Sequence, residues 1–264
     1  MSVVESEIPT FYILVEGYTD QRVLGVLLGS VGFTYAKPNR RSSDAGAAKQ
    51  VTSGRPEPAS VEPVRYRRGA HLIEIIKANG TKKKMAVQAA ALLAETSAQR
   101  ANFLIICDAD DSVDDTWGIL HAALCTECTV SRPQFTQPVV QHEAATEPRK
   151  VWVWFSMDAA TGTGSMDTLL RTALAGTHGP FVDSAAQLDA QFSHLRGETL
   201  GGTILNNVLH DKAVVGIAHA VLDPKRQYDS AFRDSEVWKA AILNPASPFA
   251  PLLEFLRHAL SDNP

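Results

Sequence analysis

Phe11-Tyr12-Ile13-Leu14-Val15-Glu16-Gly17-Tyr18-Thr19-Asp20 is the stretch from which the rest of the chain can be read. The apolar run Phe11 to Val15 suits one buried strand and is too short for a buried helix. It stops at a carboxylate, Glu16, followed by Gly17, which turns a backbone sharply because it lacks a Cβ. Thr19 and Asp20 are helix-capping residue types, and the apolar-rich segment Val23 to Val31 supplies the helix. A strand that ends in Glu-Gly and turns into a helix sets Glu16 at the carboxyl edge of a sheet. Open α/β sheets bind their ligands along that edge. Read blandly, Glu16 is a surface glutamate beside a turn glycine.

A second apolar run, Phe103 to Cys107, also ends in acids, Asp108-Ala109-Asp110-Asp111. If the backbone stays extended, Asp108 and Asp110 face the same side. Two carboxylates so placed repel each other unless one is protonated or a cation sits between them. Hard oxygen donors at a strand end suit Mg²⁺ or Mn²⁺. The blander reading is an acidic turn that caps the next helix, about Val113 to Ala123. One residue suffices for a cap, so the metal reading explains more of the run.

Between these runs, Leu72 to Ile76 reads as a strand, Ala78-Asn79-Gly80 as its turn, and Thr81 as the cap of a helix to about Glu95. Lys82, Lys83 and Lys84 fall in the first turn of that helix, where the dipole disfavours cations. They hint at an anionic partner, although a solvated face accounts for them too. Lys150 to Phe155 alternates as a strand does, and Ser165 then caps a helix with Asp167 in its first turn. Helical patterns follow at Ser184 to Leu195, Leu205 to Val221, Ser230 to Ile242 and Phe249 to Leu260, the second containing Lys212.

Lys37 to Arg68 is a polar stretch with Pro38, Pro56, Pro58 and Pro63 and with more cations than acids. It reads as a solvated insertion, or as a basic arm for a phosphate backbone. Cys125 and Cys128 resemble half a zinc site, with His121 and His142 as conceivable partners, but structural zinc needs four ligands at disciplined spacing. Free cysteines are the simpler account.

Composition sets bounds around these motifs. The chain has 264 residues, 45% hydrophobic and 20% charged, with a net charge of -4. That is an ordinary globular composition, and a modest negative charge neither advertises nor forbids nucleic-acid binding. Three cysteines fit a reducing compartment better than a disulfide framework. The N-terminus shows no signal-peptide pattern, and no run approaches the roughly 18 apolar residues of a membrane span. The expectation is a cytoplasmic protein with no membrane partner.

Glu16-Gly17…Asp20, then Asp108-Ala109-Asp110, then Ser165-Met166-Asp167 and Lys212, in this order, resemble the Toprim superfamily. That fold is shared by topoisomerases, DnaG-type primases and OLD-type nucleases. The likeness is strongest to the OLD-like branch and to small stand-alone Toprim proteins. It covers about Phe11 to Leu170 and extends more weakly to Lys212.

The resemblance implies an α/β fold, a mainly parallel sheet flanked by helices with a helical C-terminal portion. The core would span 1-175 and the helical portion 176-264. It implies Glu16, Asp20, Asp108, Asp110 and Asp167 as ligands of Mg²⁺ or Mn²⁺. Glu16 and Lys212 would be the catalytic groups, with Lys212 near the scissile phosphate. Asp167 is shorter than the glutamate usual at its position, and the proline-bearing insertion is outside the common core. The P-loop of long OLD proteins is absent, since Gly162-Thr163-Gly164-Ser165 lacks its lysine.

The implied activity is metal-dependent cleavage of phosphodiester bonds in DNA or RNA. A homo-oligomer or a protein partner is compatible with it. Alternatives are a non-catalytic Toprim module, as in phage defence, and a haloacid-dehalogenase-type phosphatase. The latter leaves Glu16-Gly17 unexplained.

Overall fold

The computed structural model describes residues 10–36, 63–78, 81–94, 101–124, 140–141, 150–192, 199–200, 203–204, 210–222 and 235–261. In chain order the elements are β1 (Phe11–Val15), α1 (Tyr18–Ser30), β2 (Thr34–Ala36), β3 (Val64–Arg68), β4 (His71–Lys77), α2 (Lys82–Ala94), β5 (Asn102–Asp108) and α3 (Val113–Leu124). Then come β6 (Val140–Gln141), β7 (Lys150–Ser156), α4 (Met166–Phe192), β8 (Thr199–Leu200), β9 (Thr203–Ile204), α5 (His210–Leu222), α6 (Glu236–Ile242) and α7 (Ala250–Ser261). The main sheet runs β2-β3-β4-β1-β5-β7-β6. Its centre, β4-β1-β5-β7, is parallel, and β2, β3 and β6 add antiparallel edges. The mixed α/β class with a largely parallel sheet is thus observed.

Both faces of the central strands are covered, which is why they read as continuous apolar runs rather than alternating ones. Ile13 and Val15 of β1, with Leu104 and Ile106 of β5, join α1, α4, α5, α6 and α7 in one apolar cluster. Leu14, Phe103, Ile105 and Val153 join α2 and α3 in the other. Period-two side-chain direction sorts each strand between the two layers. The C-terminal helices therefore share a core with the sheet, and α4 itself crosses residue 175. Among the described residues no helix is long and apolar enough to cross a membrane.

Some boundaries differ from those expected. Helix α1 starts at Tyr18 with Gly17 as its N-cap, so Thr19 and Asp20 lie inside the first turn. Asp20 still serves the cap, since its Oδ2 accepts the Gly17 N–H at 2.6 Å. The end of the polar stretch is β3, whose cations have local partners. Arg65 Nε reaches Glu74 at 2.8 Å, and Arg68 donates to the carbonyls of Val31 and Leu260 at 3.0 and 2.7 Å. Charge alternation had hidden a strand that lies beside β4. The helix expected from Ser184 is the second half of α4, which leaves helical geometry at His178 just ahead of Pro180. Residues 37–62, Asn79, Gly80, Cys125, Cys128 and His142 lie outside the described residues.

Candidate active site

The connection leaving β1 runs through α1 toward β4, and the one leaving β5 runs through α3 toward β7, on the other side of β1. The helices α1 and α3 pack on opposite faces. The gap at the carboxyl ends of β1 and β5 is therefore the sheet's topological switch point, where an open α/β sheet forms its crevice. Glu16 follows β1 and Asp108 ends β5. The parallel register aligns Val15 with Ile106, which brings the two acids together. Glu16 Oε1 accepts the Asp108 N–H at 3.0 Å, across 92 residues of sequence. Asp108 Oδ1 accepts the N–H of Met166 at 2.8 Å, at the start of α4.

Asp20 completes the group from the first turn of α1. It is 3% exposed, and its Oδ1 has no hydrogen-bond partner. Its carboxyl is pushed up to about 7, by burial first and by the charges of Glu16 and Asp167, against the lowering effect of the Gly17 N–H. Burial also raises Asp108, to about 8, with Asp20 and Glu16 adding to the shift. Glu16 is raised by burial and held back by the Asp108 N–H and by Lys82. Glu16, Asp20 and Asp108 are thus linked by charge, with Asp167 acting on Asp20 and Asp110 on Glu16 and Asp108. Beneath them, Cys107 is buried, its thiol pushed well above the usual range by that burial, so it offers no thiolate.

Asp110 is arranged differently from the sequence expectation. Its φ of 50° ends the extended run, a turn that aspartate tolerates better than most residues. Its carboxylate therefore swings to Lys82, Oδ2 to Nζ at 2.7 Å. Lys82 also donates to Thr116 Oγ1 at 2.7 Å, and Thr116 donates on to the Ala109 carbonyl. The cation at the wrong end of α2 is held there by Asp110, just past β5, and by the Thr116 hydroxyl of α3. Asp110 and Gly164 exchange backbone hydrogen bonds, each 2.7 Å, which pins the glycine-bearing loop to the acids. Gly164 has φ +120°, and a Cβ there would meet Thr168 at 3.1 Å. Among the described residues, no three His, Cys, Asp or Glu side chains stand ready-made around one point as ligands.

Lys212 is exposed on α5 and does not line the adjoining cavity, whereas its neighbours His210 and Asp211 do. That cavity, about 730 Å³, is also lined by Asp110, Asp158, Thr168 and Arg171. Sequence reasoning did not single out Asp158, Arg171, His210 or Asp211 as site residues. Nothing in their local pattern marks them, since only the packing of α4 on α5 brings them to the crevice.

A family model described as "Protein of unknown function (DUF3226)" matches residues 10–261. No curated protein matches the chain. Among solved structures, the chain is similar to a hypothetical protein from Pyrococcus horikoshii OT3, with 17% identity over 95% of each chain and a TM-score of 0.50. At that identity the likeness speaks to fold alone.

Proposed function

This chain belongs to the DUF3226 family, and we propose that it is a divalent-metal-dependent hydrolase of phosphodiester bonds in nucleic acid, built on a Toprim-like centre. One observation carries the reading: Glu16, just past β1, accepts the backbone N–H of Asp108 at the end of β5, with Asp20 buried beside them. The donor set fits a hard cation. Asp20 Oδ1 is buried with no hydrogen-bond donor, and burying a carboxylate without compensation is costly. Glu16, Asp20 and Asp108 would hold the ion, with Asp110 and Asp167 in support. When bound, such an ion lowers the pKa of water and neutralises charge on a phosphate.

The chain's own residues supply the rest of the mechanism. Glu16 can take a proton from the attacking water. Lys82 stands at the acids and can move from Asp110 to a phosphate oxygen, stabilising charge that builds on it. Tyr18, 51% exposed, follows Gly17 at the same edge, with Lys77 Nζ 3.3 Å from its ring centre and the Arg22 guanidinium 5.6 Å away. An exposed ring flanked by cations suits a stacked base and its phosphate.

The test is cleavage of supercoiled plasmid and of single-stranded DNA and RNA with Mn²⁺, Mg²⁺ or EDTA. The expected result is metal-dependent cleavage that falls at least about 100-fold in Glu16→Gln and Asp108→Asn. A wild-type chain that binds Mn²⁺ and nucleic acid but cleaves none of these substrates would be a binding module instead. Phosphomonoester hydrolysis that survives Glu16→Ala would make it a phosphatase.

A further inference from the structure

The cavity beside the acids contains a histidine that the proposed mechanism leaves unused. His210 opens α5, and its Nδ1 lies 2.5 Å from Oδ2 of Asp189 in the second half of α4. Asp189 is 6% exposed, whereas the His210 side chain is 44% exposed and lines the cavity. A buried carboxylate at Nδ1 fixes that nitrogen's proton and the ring's orientation, which leaves Nε2 for whatever enters. A second helical histidine is arranged differently. His219 is 4% exposed and its Nδ1 accepts the Trp238 indole N–H at 3.1 Å, a contact buried in the core.

A cation stands beside His210. Arg171 lines the same cavity, its Nε held at 3.0 Å by Asp211 Oδ1, while Asp211 Oδ2 accepts the Thr168 hydroxyl at 2.6 Å. Among the described residues, the charged groups around His210 include Asp189 and Arg171 on α4, Asp211 on its own helix, and Asp110, Asp111 and Asp158 along the cavity wall.

We infer that His210, oriented by Asp189, donates the proton to the leaving oxygen of a phosphodiester bound in this cavity, with Arg171 on a non-bridging oxygen. This rests on the hydrolase reading. Water adds to phosphorus, and the bond from phosphorus to the leaving oxygen breaks. That oxygen keeps the electron pair and takes the Nε2 proton of the imidazolium. The attacking water releases its proton to solvent, and His210 regains one from solvent. One water is consumed, and an alcohol and a phosphate monoester form. Asp189 is a positioning residue.

The test compares a DNA oligonucleotide with thymidine 5′-(4-nitrophenyl phosphate) in Mn²⁺, since nitrophenolate leaves without a proton. His210→Asn should slow the oligonucleotide about 100-fold and leave the nitrophenyl ester within about threefold, with Asp189→Asn showing the same bias more weakly. Calorimetric Mn²⁺ binding and the melting temperature should be unchanged in His210→Asn. Equal slowing of both substrates, no slowing of either, or loss of Mn²⁺ binding would each overturn the role of His210. A wild-type chain that cleaves neither substrate overturns the hydrolase reading, and the His210 inference with it.

Discussion

Replacing Asp108 with asparagine should make the metal-free protein more stable at neutral pH, although it removes a residue of the proposed centre. Asp108 titrates near 8 in the folded chain, against an ordinary value of 3.8, because it is buried among other acids. Below the lower value both states are protonated and the full stability is present. As pH rises, the unfolded chain gives up this proton first, and stability falls until the folded group also ionises. While the folded state holds one extra proton, the slope is about 1.4 kcal/mol per pH unit. Between pH 5 and 7 the loss is then about 3 kcal/mol, or roughly 5–10 °C in melting temperature for a chain of this size. Asp20, raised to about 7, acts in the same direction. Asparagine keeps an Oδ1 for the Met166 N–H and does not titrate. Urea unfolding in EDTA at pH 5, 6, 7 and 8, followed by fluorescence of the buried Trp152, Trp154 and Trp238, reads this out. The parent should weaken with pH, and Asp108→Asn should flatten the curve and exceed the parent at pH 7. A parent that gains stability from pH 5 to 7, or an asparagine variant weaker than it at pH 7, would refute the reasoning.

Other outcomes follow from the same contacts. At pH 7, Mn²⁺ at about 100 times its dissociation constant should raise parental stability by about 2.7 kcal/mol, and should leave Glu16→Gln and Asp108→Asn unchanged in thermal shift. Lys82→Met removes the cation paired with Asp110; calorimetry should then show Mn²⁺ binding tightened on the order of tenfold, while cleavage slows. A Cβ on Gly25 would meet Tyr66 Oη at 2.5 Å, inside the α1–β3 contact. Gly25→Ala should therefore cost about 1–3 kcal/mol in urea, and clearly less in a Tyr66→Phe background. Trp238→Phe deprives buried His219 of its donor and should cost about 1–3 kcal/mol by the same measurement.

What the sequence made legible is what local chemistry determines. Phe11–Val15 and Phe103–Cys107 are apolar runs of strand length, each followed by an acid, so the carboxyl edge and the meeting of Glu16 with Asp108 could be read directly. Three features could not. Arg65 and Arg67 gave β3 the look of a solvated arm, because a strand lying against β4 can carry charge that its neighbour neutralises. Asp110 was read as extended, yet its geometry depends on the backbone bridge to Gly164, 54 residues later in the chain. His210, Arg171 and Asp189 come together only because α4 continues past Pro180 and α5 packs along it, a tertiary outcome with no local signature.

The group of buried acids is unfavourable for stability by itself. Asp20 and Asp108 stay protonated well above their ordinary range, and Lys82 spends its charge on Asp110. Protons and one lysine are poor substitutes for a divalent ion, because each neutralises a single charge and neither satisfies the lone pairs of several carboxylates at once. A site built only for stability would hold apolar residues here. Glu16 after β1, Asp20 in α1 and Asp108 at the end of β5 instead converge at the sheet's switch point, with Asp20 Oδ1 buried and lacking a donor, and stability is lost wherever the pH ionises them. Under the proposed function, binding a doubly charged cation would reverse that loss.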